Sequence, residues 1–126
     1  MELRDNLKYA RSDEWVRRDD EETATIGITE YAQGELGEIV FIELPEIGES
    51  VSPGVAFGVV ESVKAVAELV SPIGGTVLEI NAPLIDNPAT VNDSPFDDGW
   101  MIKIKIADAA PLDELLDAAA YGAYRS

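Results

Sequence analysis

The sequence predicts a mainly β domain: a small sandwich of two similar β units, with a short helix after the first hairpin and a second helix at the C-terminal end. Three observations predict it. First, Thr23 to Ile28 and Trp100 to Ile106 alternate apolar and polar residues with period two, the spacing of strands with one buried face. Second, Gly37 to Pro45 and Gly75 to Pro83 share their glycine, proline and apolar positions at an offset of 38 residues, and each is followed by a loop and a strand led by Phe57 or Trp100. Two such units facing one another form a sandwich with pseudo-twofold symmetry. Third, the run from Phe57 to Pro72 sets one lysine, Lys64, between segments rich in valine, whose branched side chains suit a pleated surface. That run reads as a β-hairpin with Lys64 at or beside its tip.

Composition bounds the function. With 126 residues, 46% of them hydrophobic, the chain can bury one core, so residues 1–126 are expected to form a single domain. Nine basic against 25 acidic residues give a formal charge of −16. Such a chain lacks the basic patches that phosphate binding needs, which argues against nucleic acid and against anionic membrane surfaces as partners. No apolar run reaches the length of a membrane span. No basic, apolar leader opens the chain, and with Met1 present a bacterial cytoplasmic protein is expected, a mature organellar form being the other source. Cysteine and histidine are both absent. Thiol nucleophiles, thiolate metal sites and the usual neutral-pH general base go with them. Redox or acyl-transfer chemistry would have to come from an attached group or from another protein.

The elements follow in order. Leu3 and Leu7 are candidates for packing, and Ser12 to Val16 opens a strand with Trp15 and Val16 as candidate core. Arg17 to Glu22 is a charged turn, and Thr23 to Ile28 returns as the second strand of a hairpin. Thr29 is placed to cap a helix from Glu30 to Leu36, which Gly37 ends by permitting a left-handed turn. Glu38 to Leu44 carries apolar residues on both faces, predicting a strand buried on both sides at one end. In the connection from Pro83 to Gly99, Ile85, Val91 and Phe96 are the expected anchors. Its aspartates Asp93, Asp97 and Asp98 lack the ligand order and closing glutamate of a calcium loop. Ile102, Ile104 and Ile106 point inward from the last strand. A C-terminal helix is expected over about residues 111–124, with Pro111 in its first turn and Leu112, Leu115, Leu116 and Ala119 as an apolar stripe.

A lysine at a hairpin tip is held clear of the body on a rigid base, where another enzyme can load it covalently. It is also, more plainly, a solvated charge that discourages edge-to-edge pairing. The residues around it decide between the two. The run Glu61-Ser-Val-Lys64-Ala65 resembles the lipoyl-lysine motif of the glycine cleavage system H-protein family. The resemblance extends, in order, through Lys8-Tyr-Ala, Ser12-x-Glu14-Trp15, Gly27-Ile-Thr-x-Tyr-Ala-Gln, Leu36-Gly-x-Ile-Val-Phe, Leu44-Pro, Phe57-Gly-Val-Val and Gly99-Trp-x-Ile-Lys-Ile. Biotin carriers place methionine on both sides of the lysine, and lipoyl domains of 2-oxo acid dehydrogenases usually place aspartate before it. Here the neighbours are Val63 and Ala65.

The resemblance implies a barrel-sandwich hybrid of the lipoyl- and biotinyl-carrier type, with lipoate in amide linkage on Lys64 and with Glu61 and Ala65 helping to present it. It implies a carrier without a catalytic site of its own. Such a carrier takes the aminomethyl group of glycine from a pyridoxal-phosphate glycine decarboxylase to a tetrahydrofolate-dependent aminomethyltransferase. A flavin-dependent dihydrolipoyl dehydrogenase then reoxidises it, and a lipoate ligase or a lipoyl or octanoyl transferase attaches the cofactor. It further implies a docking site for the loaded arm at Ser12, Glu14 and Glu68. One departure stands out: the family usually has histidine between the serine and the glutamate, and Asp13 stands there, adding negative charge where partners or the arm would dock. An H-like relay that donates lipoyl groups to other lipoyl domains, and an unmodified interaction domain, are the alternative readings. An enzyme is a further class, but no pair of carboxylates sits at a spacing suited to acid–base work.

Overall fold

A computed structural model describes all 126 residues. Nine strands run in chain order: Lys8–Tyr9 (β1), Glu14–Arg18 (β2), Thr23–Ile28 (β3), Ile39–Glu43 (β4), Ser50–Val51 (β5), Ala56–Ser62 (β6), Val66–Val70 (β7), Gly75–Ile80 (β8) and Ile102–Ile106 (β9). They form two antiparallel sheets, one of six strands in the order β1-β2-β3-β9-β8-β5 and one of three in the order β4-β6-β7. The main core lies between the sheets. Ile26, Ile28, Val77 and Ile104 reach into it from the larger sheet, and Ile42, Val60 and Leu69 from the smaller. A second apolar cluster gathers Leu7, Tyr9, Trp15, Phe96, Ala118 and Tyr121 beside the β1–β2 end of the larger sheet. There the Trp15 indole N–H donates to the carbonyl of Pro95 at 3.1 Å, so the bulkiest core side chain leaves no polar atom unpaired.

The internal repeat is structural. Its first copy, β4, pairs with β6, and its second copy, β8, pairs with β9. Both copies carry a bulge, one between Ile39 and Phe41 and one between Val77 and Glu79, at the same offset as the sequence match. The bulged residues are therefore Val40 and Leu78, and both are exposed. The mainly β sandwich with two related units is thus observed, and neither sheet closes on itself.

The bulge corrects one expectation. The fourth strand is not buried on both faces: Val40 and Phe41 are exposed, while Ile39 and Ile42 are buried. An extra residue on one strand shifts the in–out alternation by one place, so two residues separated by an odd spacing can both face the core. The first charged turn is also shorter than expected. Arg17 and Arg18 remain in β2, and Asp20 closes the turn by accepting from the N–H groups of Glu22 and Thr23, each at 2.8 Å.

Helix α1, Glu30–Leu36, begins and ends where the sequence places it. The Thr29 hydroxyl accepts from the N–H of Ala32, and Gly37 follows with φ of 79°. The connection after Pro83 holds two single-turn helices, α2 (Pro83–Asp86) and α3 (Thr90–Asp93). Val91 and Phe96 anchor it as expected, but Ile85 is exposed and Leu84 takes its place in the core. The expected helix over residues 111–124 is two pieces, a 3-10 turn at Ala110–Glu114 and α4 at Ala118–Tyr124. Leu115 between them is extended, and Leu116 pairs with Tyr9 through two backbone hydrogen bonds of 2.7 and 2.8 Å. The free edge of β1 thereby recruits the segment, and Asp117 starts a new helix by accepting from the N–H of Ala120 at 2.8 Å. The stripe changes accordingly: Leu112, Ala118 and Tyr121 are buried, and Ala119 is exposed.

Candidate functional site

Strands β6 and β7 leave Val63, Lys64 and Ala65 as the turn, which puts Lys64 at the tip as the sequence predicts. Ser62 holds the turn closed. Its N–H donates to the carbonyl of Ala65 at 2.8 Å, and its hydroxyl oxygen accepts from the N–H groups of Ala65 at 3.0 Å and Lys64 at 3.3 Å. A serine hydroxyl that accepts from backbone N–H groups two and three residues on fixes a turn locally. The N–H of Val63 donates to the carbonyl of Glu38 at 3.1 Å and ties the tip to the chain entering β4. The Lys64 amine forms no ion pair, and the side chain is exposed. Its methylene stem passes Gly37, where an added Cβ would come to 3.4 Å from Cε. Glycine is suited to this position by the positive φ, and the stem lies within ordinary contact distance of where a Cβ would stand.

Asn92 braces this platform from α3. Its amide nitrogen donates to the carbonyl of Gly37 at 2.8 Å and to Gln33 Oε1 at 2.9 Å, and its oxygen accepts from the N–H of Ile39 at 2.9 Å. One side chain thus joins the end of α1 to the start of β4, directly beneath the tip. Glu61 sits at the tip end of the central strand β6, paired with Phe41 on one side and Val66 on the other, and its carboxylate makes no hydrogen bond. The turn is held by Ser62 and the backbone of Ala65. A serine two places before the lysine was the available signal for this role.

Against the body of the hairpin lies a cleft of about 190 Å3 lined by Ser12, Asp13 and Glu14, by Ile28 of β3, by Ala32, Glu35 and Leu36 of α1, and by Val60, Ala67, Glu68 and Leu69 of the hairpin. Glu14 is 3% exposed, a carboxyl group set almost wholly inside the protein. It accepts hydrogen bonds from the Ser12 hydroxyl and, at 3.4 Å, from the N–H of Val70. Burial pushes its pKa up to about 7, against the opposing pull of the Ser12 hydroxyl and the Val70 and Glu14 N–H groups. Near neutral pH the group therefore sits between its acid and its carboxylate forms. Ser12 and Glu14 are brought together as expected. Glu68 is set apart from them at the rim: it is exposed, alternating outward between Ala67 and the buried Leu69, and it forms no hydrogen bond with either.

Asp13, the departure from the family pattern, lines the same cleft, but its charge is already matched. Arg125 donates to both carboxylate oxygens, from Nε at 2.9 Å and from a terminal nitrogen at 2.7 Å. Nothing local in the sequence marks that pair. No group of acidic side chains in the structure is arranged to hold a metal ion.

Comparison with known proteins identifies the family. A family model described as glycine cleavage H-protein matches residues 7–126. A glycine cleavage system H protein from Anaeromyxobacter sp. (strain K) is 49% identical over 124 residues, covering 98% of this chain and 96% of that protein. One from Staphylococcus carnosus is 51% identical over 121 residues, covering 96% of this chain and 95% of that protein. A mitochondrial H protein of Oryza sativa subsp. indica is 56% identical over 117 residues, covering 93% of this chain and 71% of its own longer chain. Among solved structures, a glycine cleavage system H protein from Mycobacterium marinum superposes with a TM-score of 0.89 at 33% identity, over 98% of each chain.

Proposed function

The chain belongs to the glycine cleavage H-protein family and acts as its carrier in the glycine cleavage system, and from that premise we propose that Lys64 is the residue lipoate occupies, in amide linkage. The observation that carries the proposal is the tip itself: one unpaired, exposed lysine on a turn closed by Ser62, at the end of a rigid hairpin. An acylating enzyme needs a free amine that it can reach without unfolding its substrate. The amine of Lys64 meets both conditions.

The attached dithiolane supplies the sulfur chemistry that a chain without cysteine lacks. The protein's own residues supply presentation and shelter. Ser62 and Ala65 fix the backbone at the tip, and Gly37 and Asn92 set the surface across which the lysine stem runs. Ser12 and Glu14 form the polar floor of the cleft, suited to the cationic amine of the carried aminomethyl group. A positive charge brought beside Glu14 lowers its pKa and favours the carboxylate, so docking would expel the proton that burial otherwise retains. Glu68 at the rim adds a second negative charge along the way in. Glu61 acts through its place in the β6 ladder.

The partners that follow are the pyridoxal-phosphate decarboxylase, the tetrahydrofolate-dependent aminomethyltransferase, the flavin-dependent dihydrolipoyl dehydrogenase and the ligase or transferase that installs lipoate. The protein serves them as a shuttle, in one domain and without a reaction centre of its own. No helix is long and apolar enough to cross a membrane, and we place the carrier in the cytoplasm with those enzymes.

Intact-mass measurement after incubation with a lipoate ligase, lipoate and ATP tests the assignment. Wild type is expected to gain one lipoyl increment and Lys64→Arg none. The variant should keep its stability within about 0.5 kcal/mol, because the tip is exposed. A lipoyl increment on Lys64→Arg would move the attachment site elsewhere.

A further inference from the structure

We propose that Asp13, Tyr121 and Arg125 are positioning residues of the cleft: a hydrogen-bonded strap from the C-terminal helix that joins the turn carrying Ser12 and Glu14 to helix α1 and so fixes two of the segments that line it. The proposal rests on the reading of this cleft as the shelter of the carried group.

Asp13 is the one non-glycine residue with a positive φ, at 77°. That conformation is disfavoured for residues with a side chain, aspartate and asparagine being among the more tolerant, so a neighbourhood that holds the turn is required. The neighbourhood is visible on every side. The N–H of Asp13 donates to the carbonyl of Ala10 at 3.0 Å, and its carbonyl accepts from the N–H of Thr29 at 3.0 Å. Its carboxylate takes the two Arg125 bonds and a third from the Tyr121 hydroxyl at 2.8 Å.

Tyr121 then continues the chain of bonds. Having one hydroxyl proton and giving it to Asp13, it must accept at its 2.8 Å contact with the Thr29 hydroxyl. Thr29 donates there and accepts from the N–H of Ala32 at 3.1 Å, capping α1. The path Arg125–Asp13–Tyr121–Thr29–Ala32 therefore starts at the end of the chain, passes through the turn that carries Ser12 and Glu14, and ends on the helix that supplies Ala32, Glu35 and Leu36. Two of the walls hang on it, and the hairpin supplies the third. Arg125 is itself seated, stacked 4.4 Å over the Tyr31 ring and donating to the carbonyl of Arg11 at 3.2 Å. Tyr121 is fully buried and stacks on Tyr9 with ring centroids 4.7 Å apart.

The readout is the titration of Glu14 in the protein without lipoate, followed by the carboxyl carbon-13 shift in NMR and assigned by its loss in Glu14→Gln. The other titratable groups around the cleft are Asp13, Glu35 and Glu68. Tyr121→Phe deletes the bridging hydroxyl, and Arg125→Lys deletes the two-pronged grip on Asp13. Neither changes the net charge near neutral pH, so a fall of the Glu14 midpoint reports loosening of the walls and entry of water, whereas a rise, which release of the Asp13 charge would cause, overturns the proposal.

Both variants are expected to stay folded and to accept lipoate at the wild-type rate, while the Glu14 midpoint falls by about one pH unit, toward that of a solvated carboxylate. Release of the carried group as formaldehyde and ammonia should quicken severalfold. A midpoint unmoved in both folded variants overturns the proposal. If Tyr121→Phe does not fold, Arg125→Lys, at the partly exposed end of the strap, decides alone. Glu14→Ala separates the two readings. If it leaves release of the carried group unchanged, the shelter reading fails, and the strap still stands or falls by the Glu14 midpoint.

Discussion

Two turns meet in the function of this molecule, and they are held by opposite means. At Lys64, the groups that close the turn, on Ser62 and Ala65, are three positions apart in the chain. At Asp13, the bonds come from Tyr121 and Arg125, 108 and 112 positions away. The first turn is built to be handled: its side chains are exposed and its backbone is fixed largely from within, with one tie from Val63 to Glu38. The second is built to be closed: its carboxylates are paired or buried, and distant parts of the chain hold it. A local clamp survives changes elsewhere in the fold and presents the same surface to several enzymes. A remote clamp makes the cleft depend on the whole fold being complete.

The largest effect that tests this contrast is electrostatic. Folding raises the pKa of Glu14 from the ordinary 4.5 to about 7, so the folded state holds its proton more tightly than the unfolded state does. The stability this provides is fully present below pH 4.5 and is lost as pH rises through 7, a change of about 3 kcal/mol. Urea unfolding of wild type and Glu14→Gln between pH 4.5 and 8 should show the difference between them opening over that interval. Curves that stay parallel would place Glu14 in contact with water and reduce the contrast between the turns. Lys64→Arg, by comparison, should follow wild type at every pH.

A smaller effect is expected at Asn92, which braces the tip from outside. Asn92→Ala removes three hydrogen bonds at a half-buried site and should cost about 2 kcal/mol in urea unfolding. If the tip is self-supporting, the rate of lipoylation at Lys64 changes by no more than about threefold, since its own bonds keep the lysine placed. A loss of a hundredfold would show the turn leaning on α3 and would break the comparison.

The smallest stability change belongs to the local clamp. Ser62→Ala should cost within about 1 kcal/mol, because the site is at the surface and water replaces the lost hydroxyl. Lipoylation should nevertheless slow by roughly fivefold, as the lysine spends less time in one geometry. Tip and cleft would then differ in kind: at the tip a substitution changes modification more than stability, and at the cleft stability more than modification.

The same division accounts for what could be read from the sequence. Features fixed by near neighbours were legible: the Thr29 cap and Gly37 stop of α1, the alternation of β3 and β9, the tip position of Lys64, and the repeat that relates β4 to β8. Features fixed at a distance were not. The bulges at Val40 and Leu78 are pairing irregularities that exist only once β6 and β9 lie alongside. Leu116 leaves the helical pattern because the edge of β1 needs a partner. Leu84 replaces Ile85 in the core because a single helical turn, absent from the sequence reading, rotates the segment. At the candidate site, Ser12, Glu14 and Lys64 were named from the family pattern. The grip of Arg125 on Asp13 and the reach of Asn92 to Gly37 join segments that no local spacing connects.

The sheet topology has a consequence for crowding. A carrier that must visit several enzymes has to remain separate from its own copies, and every open sheet has edges where another chain could add a strand. Here four edges are open to that hazard, and each is blunted. The outer strands of the larger sheet, β1 and β5, are two residues long, and β1 is further covered by Leu116. On the smaller sheet, β4 is broken by its bulge. The remaining edge is β7, and there the N–H of Val70 is taken by Glu14. The carboxyl group at the floor of the cleft thus also occupies a backbone donor through which a second copy could extend the sheet.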